Sequence, residues 1–185
     1  MKTHLPPHTE FLFFAEKLAD ISREMLLTAS RTLPEVAVKV DASYVTTTDK
    51  AVEKKLREII ISQYPDHGVY GEEFENINID AEYVWVLDPI DGTAAFVAGL
   101  PVYGTLIALA WKGKPLIGVI DHPITDDRWT GVYDICAFHN GRPVSTRSCA
   151  TLGAAYVTCS NCDFMSPDQL ARFDEIRKQV AYVKY

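Results

Sequence analysis

The chain has 185 residues, 48% of them hydrophobic and 23% charged, a globular composition that excludes an intrinsically disordered chain. That length suits one ordinary domain, or one domain and part of a second. The net charge of −7 argues against a nucleic-acid partner, which favours basic patches, but leaves open a phosphorylated small molecule, because a bound divalent cation inverts the field of a carboxylate cluster.

The N-terminal apolar run is broken by Glu16 and Lys17 and is too short for a signal core or a membrane span, so a cytoplasmic protein with no membrane partner is expected. Residues 10–31 carry Phe11, Phe14, Leu18, Ile21 and Met25 at helical spacing, and Pro34 is expected to end this helix. Val36 to Val40 alternates as a strand does. A second helix is expected to start near Asp49 as N-cap, to bury Val52, Leu56, Ile59 and Ile60, and to stop at Pro65. Strands are then expected over 67–71, 83–87, 103–111, 116–121 and 128–133, with Gly113 in a hairpin turn. Asp88 to Gly99 reads as a loop turning into a short helix. A strand over 154–159, a helix over 167–179 and a strand over 180–185 open a βαβ unit. Of the four cysteines (Cys136, Cys149, Cys159 and Cys162), the last two form a C-x-x-C pair with no second pair at zinc-ligand spacing, so plain reduced thiols are expected.

Three short segments carry the chemistry: Thr46-Thr47-Thr48-Asp49, Gly71-Glu72-Glu73 and Asp88-Pro89-Ile90-Asp91-Gly92-Thr93. Asp88 ends an expected buried strand, where an unpaired carboxylate is costly. Asp91 follows closely, and Glu72 and Glu73 end another strand. Were those strands neighbours, the carboxylates would repel one another unless a cation lay between them. Oxygen ligands without sulfur or imidazole suit magnesium. Pro89 stiffens the link and frees the Ile90 carbonyl to face the same cation. Gly92 and Thr93 open a helix whose first N–H groups suit a phosphate. Asp-Pro and Asp-Gly are also ordinary turn formers, and Glu-Glu is ordinary surface; the three segments together, in this order, favour the site.

These segments, with Val45-Thr-Thr-Thr-Asp49 upstream, resemble the inositol monophosphatase family of lithium-sensitive, magnesium-dependent phosphatases. Phe96 to Pro101, Tyr103 to Leu109 and Asp127-Arg-Trp-Thr-Gly131 are most similar to its histidinol-phosphatase branch. Ala94 departs from that branch, which often carries a basic residue there. The resemblance implies an α+β fold, a layered α/β/α/β sugar-phosphatase-like sandwich with a largely antiparallel sheet. It implies an N-terminal metal-binding domain over 1–150 and the start of a truncated C-terminal α/β domain over 151–185. It assigns metal ligation to Glu72, Asp88, Ile90 and Asp91, and catalysis to Asp49, Thr93 and Glu72. Substrate contact falls to Asp88, Gly92, Thr93 and Ala94, and an auxiliary role near the metal to Glu73. Two or three Mg2+ ions are implied for the full-length family, with one site nearly complete in this chain; a homodimer is also implied, and apolar surface expected at the C-terminal edge favours association. The implied reaction is in-line attack of water on the phosphorus of a small phosphorylated metabolite.

Relatives carry a further metal ligand in a C-terminal Trp-Asp-x-Ala segment; Trp85, Trp111 and Trp129 are not followed by Asp. Three readings follow. The chain hydrolyses histidinol phosphate, or alternatively inositol phosphate or a related monoester. It binds metal without turnover. Or it is an interaction module that keeps only the fold.

Overall fold

Phe11, Ala15, Leu18, Ala19, Ser22 and Leu26 recur at helical spacing and form the buried face of helix α1 (His8–Ala29) in the computed structural model. Phe14, Ile21 and Met25, expected in this stripe, flank it and are partly buried. The small residues Ala15, Ala19 and Ser22 take the centre because they let the helix approach its neighbours closely. The structure describes residues 8–32, 35–38, 44–160, 162–163 and 165–184. Pro34, residues 39–40 and Tyr185, all named in the expected boundaries, lie outside them.

In chain order there follow β1 (Val36–Val38), β2 (Tyr44–Thr46), α2 (Thr47–Gln63), β3 (Gly68–Gly71), β4 (Tyr83–Asp91) and α3 (Thr93–Val97). Then come β5 (Gly104–Trp111), β6 (Lys114–His122), β7 (Asp127–Val132), β8 (Cys136–His139) and β9 (Arg142–Pro143). A 3-10 turn (Leu152–Ala154), β10 (Tyr156–Thr158), α4 (Pro167–Arg177) and β11 (Tyr182–Lys184) close the chain. Contacts divide it into two compact units, Met1–Val144 and Ser145–Tyr185.

The first unit is built on a seven-stranded sheet of order β3-β4-β5-β6-β7-β8-β9. β3 and β4 are parallel, and the remaining neighbours antiparallel. α1 packs on β5 and β6, and α2 on β3 and β4. Trp85 and Leu87 of β4 lie opposite Leu109 and Ile107 of β5 on the helix-facing side and are buried with Leu18, Leu56 and Ile60. Lys112 and Gly113 both take positive φ, 49° and 73°, as a two-residue turn between antiparallel strands requires. The second unit holds the expected βαβ: β10 and β11 pair in parallel, Tyr156 opposite Tyr182, on either side of α4. Ser166 and Gln169 cap α4 reciprocally, with Pro167 at its first position.

Candidate active site

The site starts from an irregularity in β4. Asp88 lies opposite Leu106 and Asp91 opposite Gly104, so three steps along β4 match two along β5. One extra residue therefore sits at Pro89–Ile90 as a β-bulge. Residues three apart on a regular strand point to opposite faces; the bulge returns Asp88 and Asp91 to one face, the side away from buried Leu87 and Ile107. The stretch expected to be a loop after Asp88 is thus strand as far as Asp91, because a bulge accommodates the proline that a regular ladder rejects. A chain of hydroxyls anchors it: Ser22 Oγ lies 2.5 Å from Thr105 Oγ1, which donates to the Pro89 carbonyl at 2.9 Å.

Glu72 arrives from β3. Gly71 is in register with Leu87, so the next step sets Glu72 beside Asp88. Burial, then the charges of Glu72 and Asp91, push the Asp88 carboxyl up to about 7, and its side chain is within hydrogen-bond reach of Glu72. Asp88 Oδ1 is buried without a hydrogen-bond partner. A carboxyl that keeps one buried oxygen orphaned and feels the charges of two more carboxylates fits a hard cation such as magnesium, with Glu72, Asp88, Asp91 and the Ile90 carbonyl as oxygen donors. The expected convergence of three or four carboxylates is not fully made: among the described residues, no group of three His, Cys, Asp or Glu side chains is drawn tightly enough to hold a metal ion. Glu73 turns its backbone N–H away, donating it to Glu53 Oε2 at 2.8 Å.

Asp49 is not the N-cap of α2. Thr46 is, and Asp49 sits three residues on, closing a capping box. Asp49 is buried, and its Oδ2 accepts from the Thr46 N–H at 2.7 Å and the Thr46 hydroxyl at 2.5 Å. Its Oδ1 is left to face Thr93 Oγ1, 3.3 Å away. The same hydroxyl lies 3.0 Å from the Ile90 carbonyl oxygen. A Thr93 proton shared between these acceptors leaves the hydroxyl oxygen able to accept from a water.

Gly92 takes φ +85° and turns the chain into α3; a side chain there would press on the Val102 carbonyl at 3.3 Å. α3 has only 5 residues, so its dipole is short, and little of the expected seat for a phosphate can come from the helix as a whole. Asp91, Gly92 and Ala94 are exposed while Phe96 is buried edge-on against Tyr103, so the turn is anchored below and open above.

Sequence reasoning missed Glu53 and Arg57. Both are buried on α2, with Arg57 Nε donating to Glu53 Oε1 at 2.7 Å. The available signal was their position: residues 52, 53, 56, 57 and 60 form one helix face, and two of them are charged four apart. Ser22 and Thr105 carried no such signal. His122 sits at the end of β6 with Nδ1 3.0 Å from the Tyr103 carbonyl. Arg128 ties β7 to Asp121 at 2.6 Å and to Asp20 of α1 at 2.8 Å. Cys159 and Cys162 hold their sulfurs 4.0 Å apart, a contact and not a bond.

Comparison with known proteins matches residues 8–183 to the model of the inositol monophosphatase family. The chloroplastic bifunctional phosphatase IMPL2 of Arabidopsis thaliana is 40% identical over 177 residues, covering 95% of this chain and 51% of its own. A histidinol-phosphatase of Chlorobaculum parvum is 32% identical over 151 residues, covering 81% of this chain and 58% of its own. Among solved structures, an inositol monophosphatase from Zymomonas mobilis superposes with a TM-score of 0.83 at 34% identity, over 97% of this chain and 70% of that one. The chain thus spans between 51% and 58% of the length of these two curated relatives.

Proposed function

Because the chain belongs to the inositol monophosphatase family, we propose that it serves magnesium-dependent hydrolysis of a small phosphate monoester. The observation that carries this reading is the buried, unpartnered Asp88 oxygen, set beside Glu72 and on the same face as Asp91. A divalent cation bound there supplies Lewis acidity and a lower pKa for water. The chain's own groups do the rest. Asp49 fixes the Thr93 hydroxyl, whose oxygen accepts from the attacking water and sets its angle. Backbone N–H groups at Gly92 and Thr93 hold the phosphate, and exposed Ala94 borders it. Water attacks phosphorus in line: its oxygen–phosphorus bond forms, the ester bond breaks, and the alcohol leaves with a proton.

Histidinol phosphate is the preferred substrate, supported by the likeness to the Chlorobaculum parvum histidinol-phosphatase. Inositol phosphate is the second reading, supported by the fold shared with the Zymomonas mobilis inositol monophosphatase. The test is phosphate release from both esters with and without magnesium, together with magnesium titration by calorimetry. Faster release from histidinol phosphate supports the first reading, and faster release from inositol phosphate the second. Magnesium binding without turnover reduces the proposal to a metal-binding chain. No magnesium binding rejects the site.

A further inference from the structure

Asp49, Glu53 and Arg57 lie four residues apart along α2 and form one buried stripe, exposed by 1%, 0% and 6%. Asp49 reaches Thr93. Glu53 and Arg57 reach the other half of the site. Glu53 Oε2 accepts the Glu73 N–H at 2.8 Å. Arg57 Nη1 donates to the Glu75 carbonyl at 3.0 Å, and Nη2 to the Phe74 carbonyl at 3.1 Å. On the other side of Glu72, a Cβ on Gly71 would lie 2.1 Å from Glu53 Oε1 and 2.6 Å from Arg57 Nη2. The backbone is therefore pressed against this ion pair immediately before Glu72 and hydrogen-bonded to it immediately after.

A buried ion pair is a weak source of stability, since desolvation consumes much of the attraction. Here the pair directs two further donors and one acceptor at three backbone groups of one loop. We propose that Glu53 and Arg57 are positioning residues: they fix the loop that presents Glu72 to Asp88, so that one face of α2 sets both halves of the site at a common spacing. This rests on the metal reading of Glu72 and Asp88. Arginine is the residue type the role needs, because its planar fork serves Glu53 and two carbonyls at once, which a lysine ammonium cannot do at the same geometry.

The test is magnesium affinity by calorimetry on the whole 185-residue chain, for the wild type, Arg57→Lys, Glu72→Gln and the double variant. Arg57→Lys is expected to weaken binding by about 10–100-fold, the usual effect of losing a group that orients a ligand. In the Glu72→Gln background the same change is expected to add almost nothing, because Arg57 acts through Glu72. Hydrogen exchange at the Glu73 amide, read without metal, is expected to quicken in Glu53→Gln, a variant of unchanged shape that serves also if Arg57→Lys does not fold. Wild-type affinity in Arg57→Lys, or losses that simply add in the double variant, overturns the proposal. A wild type that binds no magnesium overturns the functional reading itself, and this inference with it.

Discussion

Asp88→Asn is the most informative single change. It keeps the shape of the side chain and removes a charge that two other carboxylates repel. The rise of the Asp88 carboxyl from its ordinary 3.8 to about 7 corresponds to about 4 kcal/mol in a dry site. Part of the group still meets water, which reduces this to about 1–2 kcal/mol. The sign follows from the direction of the shift. Below 3.8 the carboxyl is protonated whether the chain is folded or not, and no penalty exists. Above about 7 the folded protein must hold it charged, and the whole penalty applies. Metal-free protein therefore loses stability as pH rises between these values, and the Asn variant does not lose this part. At pH 8 in chelator, Asp88→Asn is expected to unfold about 2–8 °C higher than wild type. Trp85, Trp111 and Trp129 all lie in the first unit, so intrinsic fluorescence follows its melting. Added magnesium raises the wild type by mass action, about 2.7 kcal/mol at a hundredfold excess over Kd, and leaves the variant unmoved. A variant that melts below the metal-free wild type, or gains equally from magnesium, would refute the reasoning.

Gly71→Ala drives a methyl into the Glu53–Arg57 pair, so a loss of about 1–3 kcal/mol is expected in urea unfolding at neutral pH. Thr93→Ala removes the hydroxyl between Asp49 and the Ile90 carbonyl. Phosphate release is expected to fall by about a hundredfold in kcat, with magnesium affinity by calorimetry nearly unchanged and Thr93→Ser recovering most of the rate. Burial lowers the His67 pKa, and its Nδ1 accepts the Trp85 indole N–H at 3.1 Å. Protonating that nitrogen sets N–H against N–H. The contribution is whole above His67's ordinary value of 6.5 and is lost as pH falls below it. Thermal melts followed by Trp fluorescence check this: His67→Gln flattens the acid limb if His67 causes it.

Much of the architecture was legible because it is written locally. The α1 periodicity, the Lys112-Gly113 turn and the β10-α4-β11 unit each depend on neighbours in sequence. The pieces that escaped are of two kinds. The N-cap was misplaced by three residues because Thr46 and Asp49 are both good caps, and only the reciprocal hydrogen bonds decide between them. The other kind is long-range. Thr105 serves Pro89 from 16 residues away, and Arg57 serves Glu75 from 18. Neither pairing leaves a periodic trace. The carboxylates themselves were legible as a motif, while their one-sidedness depends on a bulge that only the pairing of β4 with β5 reveals.

That bulge has a consequence for how the site tolerates mutation. Opening the ladder turns two backbone carbonyls over to side chains, Pro89 to Thr105 and Ile90 to Thr93. In the proposed cation site, a ligand drawn from the main chain is not encoded by any one side chain. Replacing Ile90 by another apolar residue leaves its oxygen in place, whereas Glu72, Asp88 and Asp91 are each lost to a single codon change. Of the four oxygen sources, the carbonyl fails only when the strand loses its extra residue, so it is deletions along 88–91, more than substitutions at position 90, that this part of the chain cannot absorb.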